Sequence, residues 1–405
     1  MADKKKKGTQ KKSDTQEKIE KVVRTSKKVK VRKKYRPLKA FVTIVICLAI
    51  LLGALYVYRQ QGRPGESPSL LSEGELRIHF VDVGQGDCIM IQLPDGKNMI
   101  IDGGDRGSDS VAAVNAYIDR LKGDAQKLTF DYLLLTHTDS DHVGGLDDVH
   151  ILREDVDVKK MFVPRLTTDQ ITTQVYRDFL SAIEQEKTVV EGVTVEYSTV
   201  DSDFENLEVG YRFDFVTPTD DCYDMGIFNS AEGKNSVSPI IVMEFGGKKV
   251  LFTGDANEKY TEKWFADLIA ADTQHSLDYY DVDVLKVGHH GSETSTGAEF
   301  LEVVKPEYAV ISYGEGNKYG HPREELLTRL RGYMPDSNIY RTAEDGTIVL
   351  SIRKDEAGVY GLFFTSENGH QSAALAAVLT IPRYEILPGR RQSRQRLTVY
   401  LMLNR

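Results

Sequence analysis

The chain has 405 residues, 40% of them hydrophobic, and a formal net charge of −9, so it can bury a real core as one large or two medium domains. Its three cysteines exclude a disulfide framework. The charge is unevenly placed: residues 1–39 carry 17 Lys+Arg against 4 Asp+Glu, about +13, which leaves about −22 for the rest. That acidity works against ready nucleic-acid binding, because polyanion affinity comes largely from Lys and Arg on phosphates.

In chain order, residues 1–39 are Lys-rich, cannot bury a core and read as a disordered cytoplasmic arm. Its basic charge serves as a topology signal beside anionic lipid, with cytoplasmic nucleic-acid or partner binding as the alternative. Residues 40–58 form a 19-residue run with no charge, which at about 1.5 Å per residue crosses a bilayer core of roughly 30 Å. No small-residue cleavage site is clear, so the run reads as one uncleaved transmembrane helix rather than a signal peptide. The basic flank keeps the amino terminus in the cytoplasm and places the rest outside the cell membrane. Residues 59–74 are a Gly/Pro/Ser-rich linker.

The folded part is expected over 75–366. Residues 76–83 alternate like a strand, 88–93 are a second, and the turn Pro94-Asp95-Gly96-Lys97 leads to a third at 98–102. Apolar spacing predicts a helix over 109–122 and a strand over 130–136, then a helix over 170–186 and short strands within 189–216. After a polar loop at 217–236, a hairpin turns at Gly246-Gly247. Helices near 258–270, 295–304 and 323–332 then alternate with strands 282–287 and 307–312. Strands near 338–341, 346–352 and 359–364 close the domain. This order predicts two packed sheets with helices outside. Residues 367–405 have no clear period and are expected to be a disordered tail. Cys47 lies in the span, Cys88 reads as a core residue, and Cys222 lies in a polar loop.

Three clusters carry chemistry, each after an apolar run. They are His137-Thr138-Asp139-Ser140-Asp141-His142, Thr253-Gly254-Asp255 and Gly288-His289-His290-Gly291-Ser292. On an extended loop leaving a strand, alternate side chains of the first cluster would face one metal and the others its neighbour, with Asp255 able to bridge two ions. Two ions about 3.5–4 Å apart activate a water and hold both oxygens of a displacement.

These motifs resemble the metallo-β-lactamase-fold hydrolases. With Phe80-Val81-Asp82-Val83-Gly84-Gln85-Gly86-Asp87, Ile100-Ile101-Asp102-Gly103-Gly104 and Gly320-His321-Pro322, they resemble the hydrolase domain of ComEC-like competence proteins over about residues 76–365. The resemblance implies an α/β fold, an αββα sandwich with metals at one edge. It implies His137, Asp139, Asp141, His142, Asp255 and His289 as metal ligands. Asp102 would support the metal loop. Asp141, His290 and His321 are the catalytic candidates; His290 is open between a further ligand and a group that assists the leaving oxygen, and His321 between proton donor and substrate contact. The loop holding Asp82 and Asp87 borders the pocket.

Two departures from the wider superfamily stand out. Asp139 replaces the usual His, and no further His ligand precedes Asp255 except His150, which reads as a helix-face residue. Asn235, Ser236 or Ser238 could fill that position. Two divalent ions are expected, Mn²⁺ or Zn²⁺, with the extra carboxylate favouring manganese. His79, His275 and His370 read as structural or surface residues. Lys248, Lys249, Lys286, Lys318 and Arg323 are the candidates for local basic patches.

The resulting expectation is a membrane-anchored extracytoplasmic hydrolase of phosphodiester or nucleic-acid substrates that uses a metal-bound hydroxide. The alternatives are a hydrolase of lactones or other esters and amides, and a non-catalytic binding protein with a degenerate site. One span cannot form the many-helix channel of competence proteins, so DNA import would need a partner.

Overall fold

Alternation of apolar residues sets the strands, and its two-residue period sets two cores. A computed structural model describes residues 71–370 apart from 148–149, 220–222, 224–230 and 274–276. The expected span 40–58, the basic arm, the tail beyond 370, Cys222 and His275 lie outside the described residues. No helix among the described residues is long and apolar enough to cross a membrane.

The first half runs β1 (Leu76–Phe80), β2 (Ile89–Gln92), β3 (Asn98–Ile101), α1 (Ser108–Lys122), β4 (Leu128–Leu134), a single turn α2 (Ser140–Val143), β5 (Val156–Val163), α3 (Gln174–Val189) and β6 (Thr194–Tyr197). Then follow β7 (Phe204–Asn206), β8 (Tyr211–Thr217), the short α4 (Ala231–Asn235), β9 (Ile240–Phe245), β10 (Lys248–Phe252), α5 (Thr261–Ala271), β11 (Val284–Lys286), α6 (Ala298–Val304), β12 (Tyr308–Ile311), α7 (Glu324–Arg331), β13 (Ile339–Arg341), α8 (Thr342–Asp345), β14 (Ile348–Lys354) and β15 (Tyr360–Ser366).

One sheet has eight strands in the order β15-β14-β1-β2-β3-β4-β5-β6, and the other has seven in the order β13-β12-β11-β10-β9-β8-β7. Successive residues point to opposite faces. Val250, Val284 and Val310 accordingly join Phe80, Ile89, Phe213 and Met243 in the core between the sheets. Their neighbours Leu251, Leu285 and Ile311 instead pack with Phe265, Phe300 and Leu330 of α5, α6 and α7. On the eight-stranded sheet, Met90, Ile100 and Leu133 are buried on the face away from that central core, as are Val114 and Ile118 of α1 and Phe179 and Ile183 of α3. The layers are those of an α/β metallo-β-lactamase-like sandwich, as expected.

Several boundaries moved for identifiable reasons. β1 stops at Phe80, because from Val81 onward the chain leaves the sheet for the glycine loop. The helix expected over 170–186 starts at Gln174, where the Thr173 side chain accepts from the Tyr176 amide as an N-cap. β5 had no counterpart in the expected elements. Its sequence VDVKKMFV breaks alternation at Lys159-Lys160, yet it pairs in parallel with both β4 and β6. The expected hairpin is present, with Gly246 and Gly247 at positive φ (59° and 71°) and Phe245 opposite Lys248, the backbone that two-residue hairpin turns require.

Candidate metal centre

Parallel strands β3, β4 and β5 in one sheet, and β10, β11 and β12 in the other, bring their carboxyl ends to one edge of the sandwich. β3 ends into Asp102, β4 into His137, β10 into Asp255, and β11 into His289 and His290. Residues far apart in sequence therefore meet there.

Asp255 is the centre of the arrangement, and its two oxygens face different groups. Its Oδ2 lies 3.6 Å from His137 Nε2 and 3.6 Å from His289 Nε2, and His137 Nε2 is 3.9 Å from Asp139 Oδ2. Its Oδ1 lies 3.2 Å from His142 Nε2 and 3.6 Å from His290 Nε2. His290 Nε2 is 3.4 Å from Asp141 Oδ2 and 3.1 Å from His142 Nε2. The other five expected ligands, together with His290, are thus gathered around the buried Asp255 carboxylate. The division is not the alternation expected for an extended loop. His137 and Asp139 lie on one side and Asp141 and His142 on the other, because α2 turns the chain between them, with the amides of His142 and Val143 donating to the Asp139 carbonyl.

The ring orientations test whether cations fit. The His142 Nδ1–H donates to Asp102 Oδ2 at 2.7 Å. The His290 Nδ1–H donates to the Ser312 carbonyl at 3.0 Å. His137 Nδ1 lies 3.1 Å from Thr136 Oγ1, whose own hydrogen goes to Asp102 Oδ2 at 2.7 Å. With Nδ1 of each ring committed as donor, the Nε2 atoms of neutral rings are acceptors turned toward carboxylates. His137 Nε2 and Asp255 Oδ1 are buried with no hydrogen-bond partner. Acceptors converging without a donor are what a divalent cation satisfies, and carboxylate or carbonyl partners behind ligating imidazoles fix their tautomers. The residues present fit metal.

Electrostatics agree. Burial opposes charge on His142, but the Asp255 and Asp102 carboxylates outweigh it and hold the imidazole well above its ordinary value. His290, equally buried, is pushed up to about 10 by Asp255, Asp141 and Asp87. Asp255 and Asp141 are held far below the carboxylate range, despite burial, by the histidines around them. His137 is pushed down by burial and by His142. Protons thus occupy positions in the metal-free protein that cations would take.

Backbone strain is concentrated at the same place. Asp102, His289 and His290 all have positive φ (58°, 47° and 52°), a region costly for residues with a side chain. The two consecutive left-handed residues place adjacent rings on opposite sides of Asp255. Gly86 is required for a different reason: a Cβ there would lie 2.3 Å from the Asp141 carbonyl oxygen, so only glycine lets that loop back onto the cluster.

Other expected residues divide. The Asp102 oxygens accept from the Thr136 amide, the Thr136 hydroxyl and His142, and Asp102 is fully buried. The Asn235 amide is 3.5 Å from both Asp255 Oδ2 and His289 Nε2. Ser238 Oγ accepts from the Asp255 amide and Ser236 Oγ from Asn257, so neither serine is turned into the cluster. His150 binds Asp147 and His370 binds Asp345. His79 is buried between Tyr117 and Gln92. The His321 ring lies edge-on to His289 at 5.5 Å, with exposed Tyr319 stacked on its other side at 5.7 Å. Burial and the neighbouring His289, His290 and Arg323 push His321 down to about 4.

Two residues were placed wrongly from sequence. Lys286, expected in a surface basic patch, is fully buried. Its Nζ pairs with Asp87 Oδ2 at 2.9 Å. Asp87, expected only to border the pocket, is itself buried and groups with His142, Asp255 and His290. The apolar run before Gly288 hid the lysine's fate, although a charge inside such a run is itself the mark of a buried pair.

Two packed sheets with this cluster at their edge define a metallo-β-lactamase domain, and residues 81–156 and 230–315 match the Metallo-beta-lactamase superfamily. Over those residues the chain is similar to the hydrolases of that superfamily. Three relatives match it, one of them named a competence protein, in line with the resemblance of its motifs. The chain is 28% identical over 340 residues to ComE operon protein 3 of Bacillus subtilis (strain 168), covering 80% of this chain and 38% of the relative. It is 27% identical over 319 residues to Recombination protein 2 of Haemophilus influenzae, covering 78% and 32%. It is 29% identical over 266 residues to Competence protein ComA of Neisseria gonorrhoeae, covering 66% and 31%. The chain spans about a third of the length of these relatives.

Proposed function

We propose that this chain is a membrane-anchored, metal-dependent phosphodiesterase whose substrate is a phosphodiester presented outside the cytoplasm. The observation that carries the reading is Asp255, each of whose oxygens faces its own set of acceptors. A carboxylate between two sets suits a pair of divalent ions, which supply an activated water near neutral pH and neutralise charge on the phosphoryl oxygens.

One ion would be held by His137, Asp139, His289 and Asp255, with the Asn235 amide oxygen available after a flip. The other would be held by Asp141, His142, His290 and Asp255. The carboxylate at Asp139 and an amide in place of imidazole make the first set richer in oxygen, which favours Mn²⁺ over Zn²⁺. His290 has both ring nitrogens committed and serves as a ligand, not as the acid for the leaving group. His321, held neutral, orients substrate at the mouth of the site beside Tyr319. The basic arm and the span 40–58 hold the domain at an anionic lipid surface. The acidity of the remaining chain favours a short phosphodiester over a long polyanion.

The test is hydrolysis of a generic phosphodiester by the full chain in detergent with Mn²⁺ or Zn²⁺, with and without chelator, beside Asp255→Asn. The expected result is metal-dependent turnover that falls at least about 100-fold in the variant. No turnover by metal-loaded, folded protein, with turnover of a lactone or ester instead, would replace this reading.

A further inference from the structure

Lys286 has no exposed surface; its Nζ pairs with Asp87 Oδ2 at 2.9 Å and donates to the Val287 carbonyl at 2.9 Å. Burying such a pair is costly unless it does something that apolar residues cannot. Its surroundings indicate what that is. The other Asp87 oxygen, Oδ1, is buried without a hydrogen-bond partner and lies 3.5 Å from His290 Nδ1. That is the nitrogen that also reaches the Ser312 carbonyl. The Asp87 backbone is pinned as well: its amide donates to the Asp141 carbonyl at 3.1 Å and its carbonyl accepts from the Gly104 amide at 2.8 Å.

We propose that Lys286 and Asp87 are positioning residues for the half of the centre built on Asp141, His142 and His290. Lys286 holds the Asp87 carboxyl in place. Asp87 adds a negative charge behind His290 and, with Ser312, keeps the ring hydrogen on Nδ1. Nε2 is thereby left facing Asp141 and Asp255 as the atom a cation would take. In the other half His137 is backed by the Thr136 hydroxyl and Asp102 instead, and among the described residues no lysine–carboxylate pair stands behind it. The two halves therefore respond differently to loss of the pair. The inference rests on the metal-centre reading above.

The test uses the full chain and three variants: Asp87→Asn, Lys286→Met, and the two combined. Either single change leaves a buried group unpaired and lowers stability. The double change removes both charges and restores much of that stability. Metal affinity separates a positioning role from a structural one. Titration with Mn²⁺ and with Zn²⁺ should show two equivalents in the unaltered chain. In the refolded double variant, one equivalent should bind as before and the other about 10–100-fold more weakly, the usual effect of losing a partner behind a ligating imidazole. Above about pH 10, where the metal-free ring is neutral, ¹⁵N chemical shifts should show His290 of the double variant moving toward the Nε2–H form. If both equivalents regain full affinity along with stability, the pair is structural and the proposal fails. If the unaltered chain binds no metal, the metal-centre reading fails first and the proposal falls with it.

Discussion

At the scale of single residues, the cluster is a competition between protons and cations. Carboxylates hold His142 above its ordinary value and His290 at about 10, so the metal-free site at neutral pH carries protons on nitrogens that a cation needs. Metal binding must expel them. Apparent affinity should therefore rise with pH, by about tenfold per unit for each proton expelled, up to the region where His290 loses its proton unaided. Competition with a chelator at pH 6.5, 7.5 and 8.5, with calorimetry in buffers of different ionisation enthalpy, reads both the slope and the proton count. Affinity independent of pH would show that the imidazoles are already neutral and that the carboxylates do not govern them. The residues that gather here were legible at this scale, because His, Asp and Asp-His after apolar runs leave few other uses. The sides they take were not: α2 and the left-handed pair His289-His290 redirect neighbouring side chains, and neither follows from spacing.

At the scale of elements, the loop between β12 and α7 forms the approach to the site. Asn317 holds it through His321, donating from Nδ2 to the His321 carbonyl at 2.6 Å and accepting the His321 amide at 3.0 Å. Tyr319 stands exposed on His321, with the Lys318 ammonium 4.9 Å from its ring centroid. A flat ring beside a cation gathers a planar or anionic part of a substrate without touching the reacting atoms. Tyr319→Ala is expected to raise KM several-fold with kcat within about twofold, the signature of lost uniform binding. A fall in kcat at constant KM would move Tyr319 from substrate approach to the reaction itself. The sequence marked this loop through Gly320-His321-Pro322 and through Lys318 and Arg323 as basic-patch candidates. The stacking needs tertiary placement of His321 against His289, which sits on a different strand connection.

At the scale of the whole molecule, a second buried carboxyl ties the outer helices together. Glu262 of α5 accepts the Thr296 and Gly297 amides at 2.5 and 2.8 Å, at the entry to α6. Burial pushes it up to about 8 from 4.5, against the pull of those amides. The folded chain then keeps a proton that the unfolded chain has released across that window. Stability from this group is whole below about pH 4.5 and is lost as pH rises through 8. Glu262→Gln cannot titrate and loses one acceptor. It should be less stable than the unaltered chain at pH 5, with the gap closing toward pH 9, as read from denaturant midpoints in chelator. A gap that widens with pH would mean that the carboxylate is ionised in the fold.

The sequence by itself determined the sandwich and the identities at its edge. Hydrophobic alternation is local, and a strand that ends in His or Asp announces a site wherever it lies. β5 escaped because two lysines interrupt its period, and Lys286 was misplaced because a sequence shows a charge but not its partner. Only the tertiary structure decided that Asp87, on the first loop, meets Lys286 and His290 from the other sheet. It also decided that Asp255 divides the centre in two and that Asp102 holds both Thr136 and His142. Those facts depend on which strand ends adjoin, and adjacency between sheets is set by packing of the whole core, not by any local run of residues.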